Sequence, residues 1–304
     1  MQSSSATTTD FRELSLWPSL GDAWSATRDG VEGACGTGPG HWRLLKGEPR
    51  TRVLLLAAEG YRPIVLKVYA IPPRLAWRTL GMVSRANREF TALMEAHRRG
   101  LPVVRPRYRV EERVAGCLRF GALALDRVAS RNLEQVLDQP ELASEERVRY
   151  ASLAGDLLGH FHRSGLQWAT ATPRNLLLTG QEDEPLQAID MPYATLAAQD
   201  ISGTAEALMD LCCIVRMSDG RLAFEGESRW ALLRAYCEGD ETAAWALDER
   251  VQLQSHLAWK RQRLRRRVKN LLRPAASSRG RAGFYDAATG HYEARESGAI
   301  YLPD

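Results

Sequence analysis

Between Thr51 and Ala70 the chain reads TRVLLLAAEGYRPIVLKVYA, two β-rich runs separated by Glu59-Gly60, and that pattern predicts two adjacent strands joined by a tight turn. In the second run Ile64, Leu66 and Val68 alternate with Val65, Lys67 and Tyr69. Both faces are therefore largely apolar, with one lysine set among them. An ammonium in such a strand is costly unless it meets a counter-charge or its stem carries it to solvent. Either Lys67 lies on an edge strand and reaches water, or the next element brings it a carboxylate.

The next element is helical. Residues Arg85 to Arg99 place Phe90, Leu93, Met94 and His97 on one stripe, the helical period. Gly100 ends the run and Pro102 forbids its continuation. Glu89 lies just before the stripe and Glu95 within it; Glu89 is the expected partner of Lys67, with a solvated helix glutamate as the alternative. Upstream, Lys46-Gly47-Glu48 is expected to turn a first hairpin. The cluster Gly33, Gly36, Gly38 and Gly40 lacks the spacing of a phosphate-binding loop, so an ordinary loop and a nucleotide-covering loop both remain open. Downstream, Arg107–Glu112 and Cys117–Val128 flank Ala115-Gly116 as a further strand pair. A short helix starts near Asn132, and a long amphipathic helix starts with Ser144 as its N-cap and runs through Val148, Leu153, Leu157, Leu158 and Phe161.

That long helix leads into HFHRSGLQWATATPRNLLL, residues 160–178. His162, Gly165, Pro173 and Asn175 occupy the spacings of H-x-x-G-x-x-H-x-D-x-x-x-x-N, the catalytic-loop region of the protein-kinase fold, which this stretch resembles. Trp168 stands at the loop-histidine position and Thr170 at the catalytic-aspartate position. After an apolar run from Leu186 comes Ile189-Asp190-Met191, which resembles the I-D-F of the lipopolysaccharide core kinases; a strand-end turn aspartate is the alternative. TAEALMDLCCIV then carries Asp210, similar to the inward aspartate of a lobe helix. The run SRANREFTALMEAHRRGLPVVRP also resembles the R-E-[FW]…L…G-[IL]-P-[VT]-x-x-P pattern of that family, and the likeness spans about residues 50–215.

The resemblance implies an α+β, protein-kinase-like bilobal fold, with a strand-rich N-lobe over residues 13–125 and a larger helical C-lobe over 126–273. A disordered N-terminus (1–12) precedes these lobes and a tail (274–304) follows them. It implies ATP lying between the lobes, Lys67 on its phosphates held by Glu89, and the connector Asp126, Arg127 and Val128 along its base. Mg2+ would be held by Asn175 and Asp190. It also implies ATP-dependent phosphorylation of an inner-core lipopolysaccharide sugar hydroxyl (Kdo or heptose). Thr170 has no acidic proton acceptor near pH 7, and a positioned base contributes about 10²–10⁴-fold, so the implied transfer is impaired. The competing expectation is a pseudokinase that binds nucleotide or partner proteins of the envelope pathway without phosphoryl transfer. Asp156, two turns up the helix, and Asp183, beyond the strand, are candidates for a substitute base, and the sequence places neither at the site.

Composition adds limits. The five cysteines, Cys35, Cys117, Cys212, Cys213 and Cys237, are odd in number and scattered, which argues against a disulfide framework or a C-x-x-C metal site and for a reducing cytoplasm. MQSSSATTTD has no basic start followed by an apolar stretch. No apolar run approaches the ~18 residues of a membrane span. The net charge of +4 names no partner, but its distribution is uneven. Val251 to Leu272 is expected as one amphipathic helix whose polar side holds Lys260, Arg261, Arg263, Arg265, Arg266, Arg267 and Lys269. Such a face can be simply solvated, lie on an anionic membrane at the cytoplasmic side of the inner membrane, or meet nucleic acid, for which aromatic interleaving is too thin. A helical stretch over 228–248 precedes it, and GFYDAATGHYEA is expected to form a small hairpin.

Overall fold

The computed structural model describes residues 42–48, 51–56, 64–71, 73–128, 131–255, 283–285 and 292–294. The N-terminal dozen, the glycine cluster, Glu59-Gly60 and the basic run Lys260–Lys269 lie outside the described residues. The chain forms two compact units, one comprising Met1–Thr91, Arg105–Arg127 and Gly280–Asp304, the other Ala92–Val104 and Val128–Arg279.

The first unit is built on a five-stranded antiparallel sheet, β1 (Trp42–Glu48), β2 (Thr51–Leu56), β3 (Ile64–Ala70), β4 (Pro106–Val114) and β5 (Cys117–Asp126), in the order β1-β2-β3-β5-β4. The strand with Lys67 is thus the central one, paired with Val53 on one side and Leu123 on the other. A central strand offers no edge from which the lysine could reach solvent. The pattern of β3 explains the placement, because Leu54, Leu66, Val68 and Leu123 are all buried. Lys46-Gly47-Glu48 does not turn the first hairpin. β1 continues through it with a register shift between Leu44 and Lys46, and Glu48 pairs with Thr51. Between β4 and β5, Ala115 and Gly116 both have positive φ (47° and 78°), as a two-residue hairpin loop of the primed type requires.

Helix α1 (Arg85–Arg98) follows a short helical turn, Pro73–Ala76, and a 3-10 turn, Trp77–Thr79. The Ser84 hydroxyl accepts from the Asn87 amide at 2.9 Å and fixes the helix start. Gly100, at φ +72°, lets the Leu101 amide reach back to the Ala96 carbonyl at 3.1 Å and closes the other end.

The second unit is helical, with small hairpins. Asn132 and Gln135 form a reciprocal capping box on α2 (Leu133–Leu137). Helix α3 (Ser144–Arg163) starts one residue earlier than expected in its capping. Ala143 is the N-cap and makes no side-chain bond, while the first turn carries Glu145 and Glu146, which favour the positive end of the helix. After β6 (Leu166–Gln167), strands β7 (Leu176–Leu178) and β8 (Leu186–Ala188) pair antiparallel, β6 pairs with β9 (Thr195–Leu196), and Pro102–Val104 bonds alongside β8. Helix α4 (Ala205–Ile214) carries Asp210 inward. The expected single stretch 228–248 is two helices, α5 (Gly226–Tyr236) and α6 (residues 241–255). They are separated by a turn in which Glu238 and Gly239 adopt φ of 55° and 89°. Trp230 and Trp245 pack across that turn with ring centres 4.8 Å apart. Residues 251–255 therefore continue α6 rather than opening a new helix. The expected tail hairpin is present as β10 (Gly283–Tyr285) paired with β11 (Tyr292–Ala294). No helix among the described residues is long and apolar enough to cross a membrane.

Helices α3 and α5 approach at glycines. A Cβ on Gly155 would lie 2.1 Å from the Leu232 carbonyl oxygen, and one on Gly159 3.0 Å from that of Tyr236. These obstacles are backbone, which cannot swing aside. Gly155→Ala is therefore expected to destabilise the protein by about 3 kcal/mol, the upper end for overpacking, measured by denaturant unfolding against the wild type.

Candidate active site

In the first unit β3 and α1 bring three side chains together. Lys67 Nζ lies 2.6 Å from Glu89 Oε1, and Tyr69 donates its hydroxyl to Glu89 Oε2 at 2.6 Å. Glu89 is wholly buried and Lys67 is 9% exposed, so the carboxylate has both oxygens satisfied by charge-assisted bonds. Lys67 and Tyr69 reach the same carboxylate because they sit two residues apart on one face of the strand. Burial, more than the adjacent Glu89 charge, pushes the Tyr69 hydroxyl well above its ordinary pKa, while Lys67 works against that shift. The tyrosine therefore stays a donor. The Arg85 guanidinium stacks 4.9 Å from the Tyr69 ring centre.

In the second unit the loop after α3 is held by Asp210. Its Oδ2 accepts the Trp168 amide at 2.7 Å and its Oδ1 the Ala169 amide at 2.8 Å. His162 Nε2 lies 3.4 Å from Oδ2, and His162 Nδ1 lies 2.8 Å from the Tyr236 hydroxyl. The Tyr236 hydroxyl also lies 3.3 Å from the Ser202 carbonyl, so its single proton is shared between that oxygen and the imidazole, while Nε2 faces the carboxylate. Burial pushes Tyr236 up to about 12, the largest effect on it, so the phenol keeps its proton. Ala169 is held at φ +64°, a conformation few non-glycine residues adopt. The two bonds to Asp210 clamp the two peptides that lead into it.

Trp168 fills the loop-histidine position as a plug. It has no exposed surface, meets Phe161 edge-on at 5.8 Å between ring centres, and donates its indole N–H to the Ile189 carbonyl at 3.2 Å. The loop thus keeps supporting hydrogen bonds without the histidine. Beside it, the Thr170 hydroxyl donates to the Asp190 carbonyl, Asn175 Nδ2 donates to the Thr170 carbonyl at 2.9 Å, and the Ile189 amide donates to the Asn175 carbonyl at 2.9 Å. These bonds bring Thr170, Asn175 and Asp190 into one assembly. Asp190 itself sits at φ +63°, a strained conformation that surrounding bonds must hold.

Of the connector residues, Asp126 is occupied. Its carboxylate is gripped by Arg107 and its amide donates to the Arg105 carbonyl at 3.0 Å. Arg127 is exposed and Val128 half-buried. Asp156 stands on the outer face of α3, and burial, its largest influence, raises its carboxyl against the pull of Arg163. Asp183 is exposed in the β7–β8 turn. Two participants escaped the sequence: Tyr69, which its place two residues after Lys67 signals, and Tyr236, 74 residues from its histidine, which no local pattern signals.

A strand lysine clamped by a buried helix glutamate, and a loop hung from a buried helix aspartate beside Asn175 and Asp190, define a protein-kinase-like chain. The family model described as Lipopolysaccharide kinase (Kdo/WaaP) family matches residues 74–236, more than half of the sequence, and the protein belongs to that family. A solved structure of WaaP in complex with acyl carrier protein is similar at 15% identity and a TM-score of 0.49, covering 78% of this chain and 96% of that one. No curated protein matches the chain.

Both buried carboxylates leave orphaned donors when removed. Glu89→Ala removes the counter-charge of a buried ammonium, and Asp210→Ala strands two backbone amides and an imidazole. Each is expected to lower stability by about 3–5 kcal/mol, read from chemical denaturation, with the Tyr69→Phe loss confined to about 1 kcal/mol.

Proposed function

We propose that the protein is an ATP- and magnesium-dependent phosphotransferase acting on a hydroxyl of an inner-core lipopolysaccharide sugar, working without a carboxylate base in its loop. The observation that carries this reading is the 2.6 Å Lys67–Glu89 pair. A lysine buried in a central strand beside a wholly buried glutamate is a costly arrangement, and phosphate binding gives it a purpose: Glu89 holds the ammonium still, and the ammonium meets phosphate oxygens. Arg127 and Val128, rather than Asp126, present the connector to the adenine.

Asn175 and Asp190 fit a magnesium ion. The Asn175 Nδ2 is occupied by the Thr170 carbonyl, which leaves Oδ1 as the amide atom turned to a cation, and Asp190 supplies a carboxylate. Magnesium takes few protein oxygens and completes its shell with phosphates and water. When bound, the ion neutralises charge on the phosphates. The chain's own residues position: Lys67 fixes the phosphates, Asp210 fixes the loop, and the Asp190 carbonyl fixes Thr170.

Phosphoryl transfer depends mainly on positioning and charge, so turnover survives the missing base at a reduced rate. A second reading, a nucleotide-binding pseudokinase of the envelope pathway, has its own support. The Thr170 hydroxyl already gives its proton to a backbone carbonyl and so has no role in taking one from a sugar. The basic run Lys260–Lys269 suits either reading as a contact with the anionic cytoplasmic face of the inner membrane.

The test is a thermal-shift titration with Mg-ATP joined to phosphate transfer onto deacylated core oligosaccharide. The wild type is expected to show a magnesium-dependent rise in Tm that Lys67→Ala and Asp190→Ala both lose, and slow transfer that Asp190→Ala abolishes. Binding without any transfer favours the pseudokinase. Thr170→Asp is expected to raise transfer by about 10²–10⁴-fold; no gain would show that the loop is not set up for a base.

A further inference from the structure

In the first unit an apolar patch faces outward. Trp77 (66% exposed), Leu80 (63%), Met82 (55%), Val83 (54%) and Val114 (53%) belong to two adjoining segments, the 3-10 turn with its following loop and the tip of the β4–β5 hairpin. The segments are tied together. Arg113 donates to the Met82 carbonyl at 2.7 Å, the Leu118 amide donates to Thr79 Oγ1 at 2.7 Å, and Leu80 packs against the hairpin turn at Gly116. Scattered exposed apolar residues need no explanation, but five large ones in one place mark a contact surface.

Charge identifies the contact. From Ile71 to Arg88 the chain carries Arg74, Arg78, Arg85 and Arg88 and no acid. Arg74, Arg78 and Arg88 are exposed, and Arg78 lies over the Trp77 ring at 5.3 Å. Backbone bonding points the same way. Leu80 N bonds the Trp77 carbonyl, Met82 N bonds the Thr79 carbonyl, and Thr79 Oγ1 bonds the Ala76 carbonyl. Part of the loop's polar backbone is thus partnered internally, which eases entry into a medium that offers few hydrogen bonds. A tryptophan with aliphatic neighbours and a fringe of arginines suits the headgroup layer of an anionic bilayer: rings and methyls sit at the acyl boundary and guanidinium groups at the phosphates.

We propose that Trp77, Leu80, Met82 and Val83, with Arg74 and Arg78, form a membrane-docking surface for anionic lipid. None of these residues belongs to the basic run at 260–269 or to the set Lys67, Asn175 and Asp190.

The experiment is co-sedimentation of the full-length protein with vesicles of phosphatidylglycerol and phosphatidylethanolamine, against vesicles of phosphatidylcholine alone. Binding is expected to the anionic vesicles and to fall as salt is raised. Trp77→Ser with Leu80→Ser is expected to weaken it at least tenfold, about the loss for two apolar side chains that would otherwise leave water. Arg74→Ser and Arg78→Ser are each expected to weaken it about fivefold, with Arg→Lys at both restoring it. Trp245→Ser, an equally exposed tryptophan in the second unit, serves as control and is expected to bind as wild type. The unchanged thermal midpoint of the patch variants shows that they fold. Vesicle binding that survives the Trp77–Leu80 double change overturns the proposal and assigns lipid contact elsewhere. Failure to bind anionic vesicles overturns it too. A concentration-dependent dimer lost in the same variant would then name a second copy as the occupant, and complex formation with a purified acidic protein an acidic partner. Either failure leaves the Mg-ATP titration untouched.

Discussion

The second unit depends on one buried carboxylate. Asp210 receives the amides of Trp168 and Ala169 and faces His162, which in turn is bonded to Tyr236. Four segments distant in sequence are thereby fixed at one point: the end of α3, the loop, α4 and the end of α5. A charge without solvent is stable only when its lone pairs are filled by well-aligned donors, and here they are. The strained turn at Ala169 persists because the two peptides leading into it are tied down, and Thr170 and Asn175 follow from that turn.

The same logic in the first unit produces a different result. Glu89 is satisfied by one cation and one phenol. A buried pair of this kind adds little net stability compared with an apolar core. The loop tells the complementary story. Trp168 replaces a hydrogen-bonding ring with a larger one and still finds an acceptor in the Ile189 carbonyl. The loop is thus held with a tryptophan at position 168, whereas Thr170 turns its hydroxyl to the backbone. Architecture and acid–base chemistry are separable here because the first is held by Asp210 and the second needs a side chain the chain lacks.

What could be read from the residues followed the range of the interactions. Alternation placed β3, a glycine and a proline ended α1, and the Ala115-Gly116 pair marked a turn whose positive φ values suit it. Boundaries set by weaker local preferences drifted: Lys46-Gly47-Glu48 is polar and turn-like, yet strand pairing with Thr51 kept it in β1. Ser144 is a good capping residue, yet the cap falls on Ala143 and Ser144 is the first helical residue. The stretch 228–248 has continuous helical periodicity, and the break at Cys237–Asp240 arises where Trp230 and Trp245 fold back on each other.

The sequence by itself determined the order of the elements, the lysine in an apolar strand, the glutamate on the helix after it, and the absence of an acid at position 170. Each of these is a matter of residue type or of periodicity over a few neighbours. Only the tertiary structure decided that β3 is central, that Tyr69 completes the Glu89 carboxylate, that Trp168 is a plug with a bonded indole, and that five exposed apolar side chains stand on two segments tied together. Those outcomes depend on pairings across 20 to 74 residues, where no periodicity connects the partners and only the packed chain brings them into contact.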